Sequence, residues 1–152
     1  MNTSISIAQY ELQTTWFVNE TIAISETQSM QQPAGNLNPI KWVAGHILNT
    51  RMMLLGLING TGPNPQYSPL FGKGSTGKVD ESFPSMEEIK TKWHEVATEL
   101  TTAIKNMSEE KLASPPPFQT SIQDKTWHGL IVYLAAHESF HIGQLSVLKK
   151  LL

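Results

Sequence analysis

The chain has 152 residues, of which 39% are hydrophobic and 16% are charged, and its formal net charge is -2 at pH 7. This length and composition predict one folded domain, residues 1–152, with a buried core, and the lack of a basic surplus argues against a nucleic-acid partner. The sequence contains no cysteine, which excludes disulfides, thiolate metal sites, iron–sulfur clusters and cysteine nucleophiles.

The first residues contain neither the basic segment nor the apolar run of a secretory signal. The longest apolar runs, 52–58 and 130–136, are shorter than the roughly 18 residues that a membrane span needs. We therefore expect a cytoplasmic protein without a membrane partner.

The first predicted helix covers about residues 4–31. Its apolar residues recur mostly at steps of three and four, which is typical of one helix face directed at a core. The residues of this predicted core face are Ile5, Ala8, Leu12, Trp16 and Ala23.

The second predicted helix has clear end signals. Asn38 is the expected N-cap, Pro39 suits the first helical position, and Gly60 suits a left-handed C-cap. Residues 61–84 then contain four prolines, four glycines and no periodic pattern. A loop of this length can return the chain to the far end of the preceding helix, so we expect a long crossover between helices two and three.

The third predicted helix begins with a capping box formed by Ser85 and Glu88. A short helical turn over residues 108–112 follows it, and the last helix runs from Asp124 or Thr126 to the C-terminus. Four amphipathic helices in this order predict an all-α fold, a four-helix bundle with a crossover loop.

The last helix carries the most informative pattern, because two histidines interrupt its apolar face. His137 and His141 are four residues apart and therefore project from the same face. This spacing allows a helix to offer two imidazoles to one metal ion. Core histidines that are fully hydrogen-bonded would show the same spacing, so both interpretations remain open on the spacing alone.

The segment 137–141 also fits the H-E-x-x-H pattern of zinc metalloproteases. Such enzymes need a third ligand further along the chain, and the eleven residues after His141 contain no His, Asp or Glu. A third ligand must therefore come from another helix, which argues against a protease.

His46 is the leading candidate for that third ligand, because it lies beside the apolar face of the second helix. His94 and His128 lie off the apolar faces of their helices, so we expect surface or structural roles for them. Three imidazoles with an open position would suit zinc, nickel, iron or copper.

Four other residues are candidates for supporting roles. Asn49 and Gln144 lie three residues beyond a histidine and could orient its ring, and Trp42 could form a pocket wall. Glu138 could orient a ring or act as a catalytic base.

Two segments carry a resemblance to a known family. Residues 38–46 read NPIKWVAGH and residues 137–145 read HESFHIGQL. With them the chain resembles the DinB/YfiT-like superfamily, for which His-x-x-x-His-x-Gly-Gln in the last helix is characteristic.

The resemblance implies a four-helix bundle with a long crossover, and a divalent metal held by His46, His137 and His141. Zinc or nickel is the expected metal, with iron, manganese and copper as alternatives. Related proteins transfer low-molecular-weight thiols such as bacillithiol to electrophiles, some are induced by stress, and many form homodimers.

Three functions are therefore considered. The first is metal-dependent transfer of a low-molecular-weight thiol cosubstrate to a small electrophile, in a pocket bordered by Trp42 and the 61–84 loop. The second is a metal-stabilised binding or stress-response module without turnover. The third is metal-dependent hydrolysis with Glu138 as the base.

Overall fold

The computed structural model describes residues 2–33, 35 and 37–152 of the chain. In this part of the chain the regular secondary structure is helical, which confirms the predicted all-α fold class. In chain order the helices are α1 (Ser4–Thr21), α2 (Glu26–Met30), α3 (Ile40–Asn59), α4 (Ser68–Phe71), α5 (Met86–Lys105), α6 (Glu109–Ala113) and α7 (Trp127–Lys149).

The first predicted helix is wrong in its extent, because two helices, α1 and α2, occupy residues 4–31. Ser25 has an extended backbone with ψ 164°, which a continuous helix does not allow. Its hydroxyl accepts the amide of Gln28, and the Gln28 side chain accepts the amide of Ser25. This capping box starts a new helix inside the segment that was predicted to be continuous.

The core face predicted for the first helix is also wrong, because its residues lie at the surface. Ile5, Leu12 and Trp16 are 77%, 48% and 43% exposed, and Ala8 and Ala23 are exposed as well. The buried residues of α1 are Ser6, Tyr10, Gln13, Phe17 and Thr21.

Two polar residues on the true core face of α1, Tyr10 and Gln13, are hydrogen-bonded to the last helix. The Tyr10 hydroxyl donates to the carbonyl of Ile131 at 3.2 Å, and Gln13 Nε2 donates to the carbonyl of Ala135 at 2.6 Å. These bonds offset the cost of removing polar groups from water, so a partly polar face can be buried.

α3 begins one residue later than predicted. Pro39 is the N-cap and Ile40 the first helical residue, so the expectation of an Asn38 cap is wrong. The Asn38 side chain instead packs against Gly77 of the following loop. Gly60 ends the helix in the left-handed region with φ 75°, as predicted.

The 61–84 loop contains one short helix, α4, that the sequence did not predict. The positions of α3 and α5, which this loop connects, are shown by Glu26. Its carboxylate accepts hydrogen bonds from the Lys41 side chain and, at 2.8 Å, from the Met86 amide. Lys41 lies in the first turn of α3, and Met86 is the first residue of α5. The N-terminal ends of these two helices are therefore adjacent, α3 and α5 run parallel, and the predicted crossover is confirmed.

The helix starts in the second half of the chain agree with the sequence. Ser85 and Glu88 form the predicted capping box of α5, and α6, which Ser108 caps, confirms the short helical turn predicted at residues 108–112. Thr126 caps α7 by accepting the amide of Gly129. α7 ends at Lys149, slightly before the predicted end at the C-terminus.

The four long helices form a closed ring of contacts in which α1 and α3 each pack against both α5 and α7. α1 and α7 run parallel, because Tyr10 contacts Ile131 near one end while Asn19 contacts Lys149 near the other. None of the helices in the described part of the chain has the length and hydropathy that crossing a membrane requires.

Candidate metal centre

Three histidines meet where α3 packs against α7. His46 lies in the second turn of α3, and His137 and His141 lie one turn apart on α7. One ring nitrogen from each histidine lies within 4.8 Å of those from the other two. Nε2 of His137 and Nε2 of His141 are 3.1 Å apart. The structure thus brings together the three candidate ligands of the sequence.

Two hydrogen bonds determine which ring nitrogens carry protons. A neutral imidazole has one N–H and one lone pair. Nδ1 of His46 is 2.7 Å from the carbonyl oxygen of Phe71, which can only accept, so this nitrogen donates. Nδ1 of His141 likewise donates to Oε1 of Gln144 at 2.6 Å. Both rings therefore carry their lone pair on Nε2, the atom that can bind a cation.

The surroundings favour the neutral form of all three rings. Burial lowers the pKa of His46 and of His141, although the hydrogen bonds to Phe71 and Gln144 oppose the shift. Burial, together with the charges of the other two histidines, lowers the pKa of His137 to about 4. At pH 7 the three imidazoles are therefore neutral, which is the form that binds metal ions.

The geometry fits a metal ion. Two nitrogens that are each about 2.0–2.1 Å from one ion lie roughly 3 Å apart at the usual coordination angles, and the Nε2 atoms of His137 and His141 are 3.1 Å apart. Nδ1 of His137 is buried and has no hydrogen-bond partner among the described residues. That nitrogen lacks such a partner whether Nε2 of His137 binds an ion or donates to Nε2 of His141, so the fit rests on the convergence of the three ring nitrogens.

Trp42 covers one side of the cluster. Its ring stacks on that of His46 with 4.9 Å between centroids and 8° between planes. Its indole N–H donates to the Ser75 hydroxyl at 2.9 Å. The 61–84 loop is therefore attached to α3 at Trp42, and, through the carbonyl of Phe71, at His46.

The two candidate amides differ in their contacts. Gln144 accepts from His141, as expected for a residue that orients a ligand. Asn49 is buried, and its Oδ1 accepts from the Ser68 hydroxyl at 3.1 Å. The structure thus places Asn49 where α4 is joined to α3, and it places Gln144 beside the histidine cluster.

Glu138 has a different environment from its neighbour His137. It is 1% exposed, and its two carboxylate oxygens accept from Nε and Nη2 of Arg51 at 2.7 and 2.6 Å. Burial raises the pKa of Glu138, and the Arg51 charge opposes this shift. Arg51 also donates to Thr14 and to the carbonyl of Tyr10, so the pair links α1, α3 and α7.

The remaining histidines lie outside the cluster. His94 is exposed, and His128 pairs with Asp124 at 3.5 Å near the start of α7. Sequence reasoning missed Arg51 and Phe71. Arg51 is the one arginine in the apolar sequence of α3, and this could have indicated a buried ion pair. The hydrogen bond from His46 to Phe71 uses a backbone carbonyl, which every residue has, so the sequence could not have indicated it.

Comparison with known proteins places this arrangement in a family. The fold is similar to that of a conserved protein of Enterococcus faecalis known from a crystal structure, with a TM-score of 0.72 over 99% of this chain and 97% of the other. Their sequence identity is 14%, so this likeness shows the fold alone. No curated protein is similar enough to this chain to count as a match. A sequence model of the DinB superfamily matches residues 13–145, a segment that includes all three clustered histidines, and the chain therefore belongs to the DinB superfamily.

Proposed function

We propose that this protein is a divalent-metal-dependent enzyme that transfers a low-molecular-weight thiol, of the bacillithiol type, to an electrophilic small molecule. The observation that carries the proposal is the cluster of His46, His137 and His141 in a chain of the DinB superfamily. A divalent ion held by three imidazoles, zinc or nickel in our proposal, supplies a Lewis acid that lowers the pKa of a bound thiol or water.

The sulfur must come from a second substrate, because the chain has no cysteine. In the transfer, the thiol loses its proton to solvent and its sulfur forms a bond to an electrophilic carbon. With an aryl halide, the halide ion leaves with the electron pair of its bond to that carbon. No oxidant or reductant is needed.

The protein's own groups prepare the site before any substrate arrives. The Phe71 carbonyl and the Gln144 carboxamide hold two of the rings with Nε2 unprotonated. Trp42 stacks on His46 and limits the movement of that ring. Glu138 has no part in proton transfer in this proposal, because Arg51 engages both of its oxygens in the core. The proposal therefore differs from hydrolysis with Glu138 as the base.

The first experiment measures the metal content of the purified protein by elemental analysis. We expect about one divalent ion per chain, and its loss in His137→Ala and in His46→Ala, because each variant removes one of three ligands. His94→Ala is the matched control, because His94 is exposed and lies outside the cluster. Unchanged metal content in both cluster variants would refute the site.

The second experiment measures consumption of a thiol together with 1-chloro-2,4-dinitrobenzene, using bacillithiol and glutathione in turn. We expect metal-dependent product formation with at least one thiol, and its loss in His137→Ala. Stoichiometric metal without turnover for either thiol would instead support the metal-stabilised module that has no catalytic activity.

A further inference from the structure

A groove runs beside the histidine cluster, between the N-terminal end of α3 and the second half of α7. Its volume is about 440 Å³, which is within the range of small-molecule sites. Its walls are largely apolar and include Val43, Phe140 and Val147. Phe140 and Val147 are 64% and 57% exposed, so the groove opens to solvent along an apolar wall.

The groove is uncharged. Its polar side chains are the carboxamides of Asn38 and Gln144, and no Asp, Glu, Lys or Arg is among its described lining residues. A charged ligand would lose its hydration there without gaining an ion pair, which is costly. The chemistry of the walls therefore selects an uncharged molecule with an apolar body.

Two contacts connect the groove to His141. Gln144 lines the groove and accepts from His141. The ring of Phe140 meets the ring of His141 edge to face, with 5.2 Å between centroids. Val43 lies about one turn before His46 on α3. The groove therefore borders two side chains that contact His141, although no histidine of the cluster is among its described lining residues.

Gly143 leaves open space on the α7 wall of the groove. A glycine inside a helix lowers helix stability relative to alanine, so it usually has a packing reason. In Gly45, Gly56 and Gly129 that reason is visible, because an added Cβ would lie within 2.4 Å of another atom. At Gly143 an added Cβ would meet nothing within 4 Å among the described atoms, yet this residue lines the groove.

We propose that this groove binds the electrophilic substrate, and that the substrate class is uncharged organic molecules with an aromatic or alkyl body. The missing side chain at Gly143 leaves room for that body against α7. The amide nitrogen of Gln144, which donates to no described residue, is available to a hydrogen-bond acceptor of the ligand. The assignment of the occupant as a substrate rests on the proposed thiol transfer, whereas its binding to the groove does not.

The test uses the uncharged fluorescent dye N-phenyl-1-naphthylamine and the full-length protein. We expect saturable binding of about one dye per chain, weakened at least about tenfold in Gly143→Leu because the leucine side chain fills the groove. Ala136→Leu is the matched control, because Ala136 is an exposed residue of α7 outside the groove. Leucine has a higher helix propensity than glycine, so Gly143→Leu is expected to fold, which circular dichroism checks.

Equal dye binding by Gly143→Leu and the unchanged protein would overturn the proposal. So would equal weakening in both leucine variants together with a dimeric mass in light scattering, because the exposed face of α7 would then be an interface between two copies. The anionic dye 1-anilinonaphthalene-8-sulfonate should bind at least about tenfold more weakly than the uncharged dye, and equal affinity would contradict the selection against charge.

Two further measurements separate this proposal from the proposed function. His137→Ala should keep its dye binding while losing metal, because the groove does not include that residue. If thiol transfer takes place, Gly143→Leu should raise KM for the electrophile much more than it changes kcat. A protein that binds the dye in the groove and transfers no thiol would retain the groove and lose only the proposed reaction.

Discussion

Arg51 and Glu138 form a buried ion pair. Glu138 directly follows the candidate ligand His137 in the sequence. Both side chains are 1% exposed, and the guanidinium of Arg51 also lies 3.7 Å from the centre of the Trp93 ring. Removing two charges from water is costly, and the bidentate geometry and the additional hydrogen bonds of Arg51 offset that cost. The stability of the pair therefore depends on both partners being present.

Glu138→Ala should lower the free energy of unfolding by about 3–5 kcal/mol, because it leaves a buried guanidinium without its partner. Replacing both residues, as in Arg51→Met with Glu138→Leu, should restore most of that loss. Glu95→Ala in the exposed Lys92–Glu95 pair is the control and should change stability by less than about 1 kcal/mol. Urea unfolding measures all three, and equal losses in the two alanine variants would contradict the burial argument.

The histidine cluster should make the stability of the metal-free protein depend on pH. The pKa of His137 falls from 6.5 to about 4 on folding, and those of His46 and His141 are also lowered. Between these two pH values the unfolded chain binds more protons than the folded protein. The free energy of unfolding should therefore decrease as pH falls from about 6.5 to about 4, and the cluster should have little effect above this range.

Urea unfolding of chelator-treated protein at a series of pH values measures this dependence. Comparison with His137→Ala removes the contribution of the carboxylates, which is common to both proteins. The variant should show the shallower pH dependence in this range, and the same slope for both proteins would contradict the assigned shift.

The three clustered histidines could be predicted from the sequence. Two of them are four residues apart on one helix, and the third lies on another apolar helix, and both features can be recognised without a structure. The sequence also predicted the pairing of Gln144 with His141, three residues away on the same helix, whereas Asn49, at the same spacing from His46, bonds to Ser68. The partners of Glu138 and His46 could not be predicted in this way. They come from α3 and from the 61–84 loop, so they are determined by tertiary packing.

At the level of the helices, α1 shows why periodicity alone can choose the wrong face. Leu12 and Trp16 are four residues apart, but Tyr10 and Phe17 are also separated by two helical turns, so the pattern fits both sides of the helix. The face that is buried carries Gln13, which bonds to the Ala135 carbonyl of α7. That partner lies 122 residues away, beyond the reach of a local pattern.

Phe17→Ala should lower the free energy of unfolding by about 3–5 kcal/mol, because Phe17 is fully buried and stacks on Trp93 with 4.1 Å between centroids. Leu12→Ala should change it by only about 0.5 kcal/mol or less, because Leu12 is 48% exposed. Thermal or urea unfolding measures both. A larger loss for Leu12→Ala than for Phe17→Ala would restore the face that the sequence favoured.

Two helical glycines should respond to alanine in opposite directions. At Gly45 an added Cβ would lie 2.1 Å from the Phe71 ring, so Gly45→Ala should cost about 1–3 kcal/mol. Because the Phe71 carbonyl holds His46, metal affinity should fall as well. Gly143→Ala meets open space and should raise stability by about 0.5–1 kcal/mol. Unfolding and metal titration measure both variants, and a stabilising Gly45→Ala would contradict the packing at this joint.

For the molecule as a whole, a bound metal would connect α3 to α7. Because an ion that binds only the folded state stabilises it, zinc or nickel at about 100 times its dissociation constant should add about 2.7 kcal/mol. The Tm should therefore rise with metal and fall with chelator, and His137→Ala should abolish both responses. Differential scanning calorimetry measures this effect. A Tm of His137→Ala that still rises with metal would place the ion elsewhere.

The order of the helices around the ring was partly predictable. The length of residues 61–84 indicated a crossover, and the crossover permits α3 and α5 to run parallel. Nothing in the sequence indicated that Glu26 would bridge the starts of both helices, because this carboxylate becomes available only after the break between α1 and α2. The topology could therefore be predicted from loop length. The contact that joins the starts of α3 and α5 could not, because it depends on the capping of α2 by Ser25.

The parallel packing of α1 and α7 has a consequence for how the chain is made. α1 is synthesised before α7, yet its buried polar side chains bond to residues 121 to 126 positions later. α7 also carries two of the three clustered histidines. Until α7 has been synthesised, α1 lacks one of its two packing partners, and a high-affinity metal site does not exist. We therefore expect a nascent chain to acquire its core and its metal in the same late step, and a chain that stops before α7 to acquire neither.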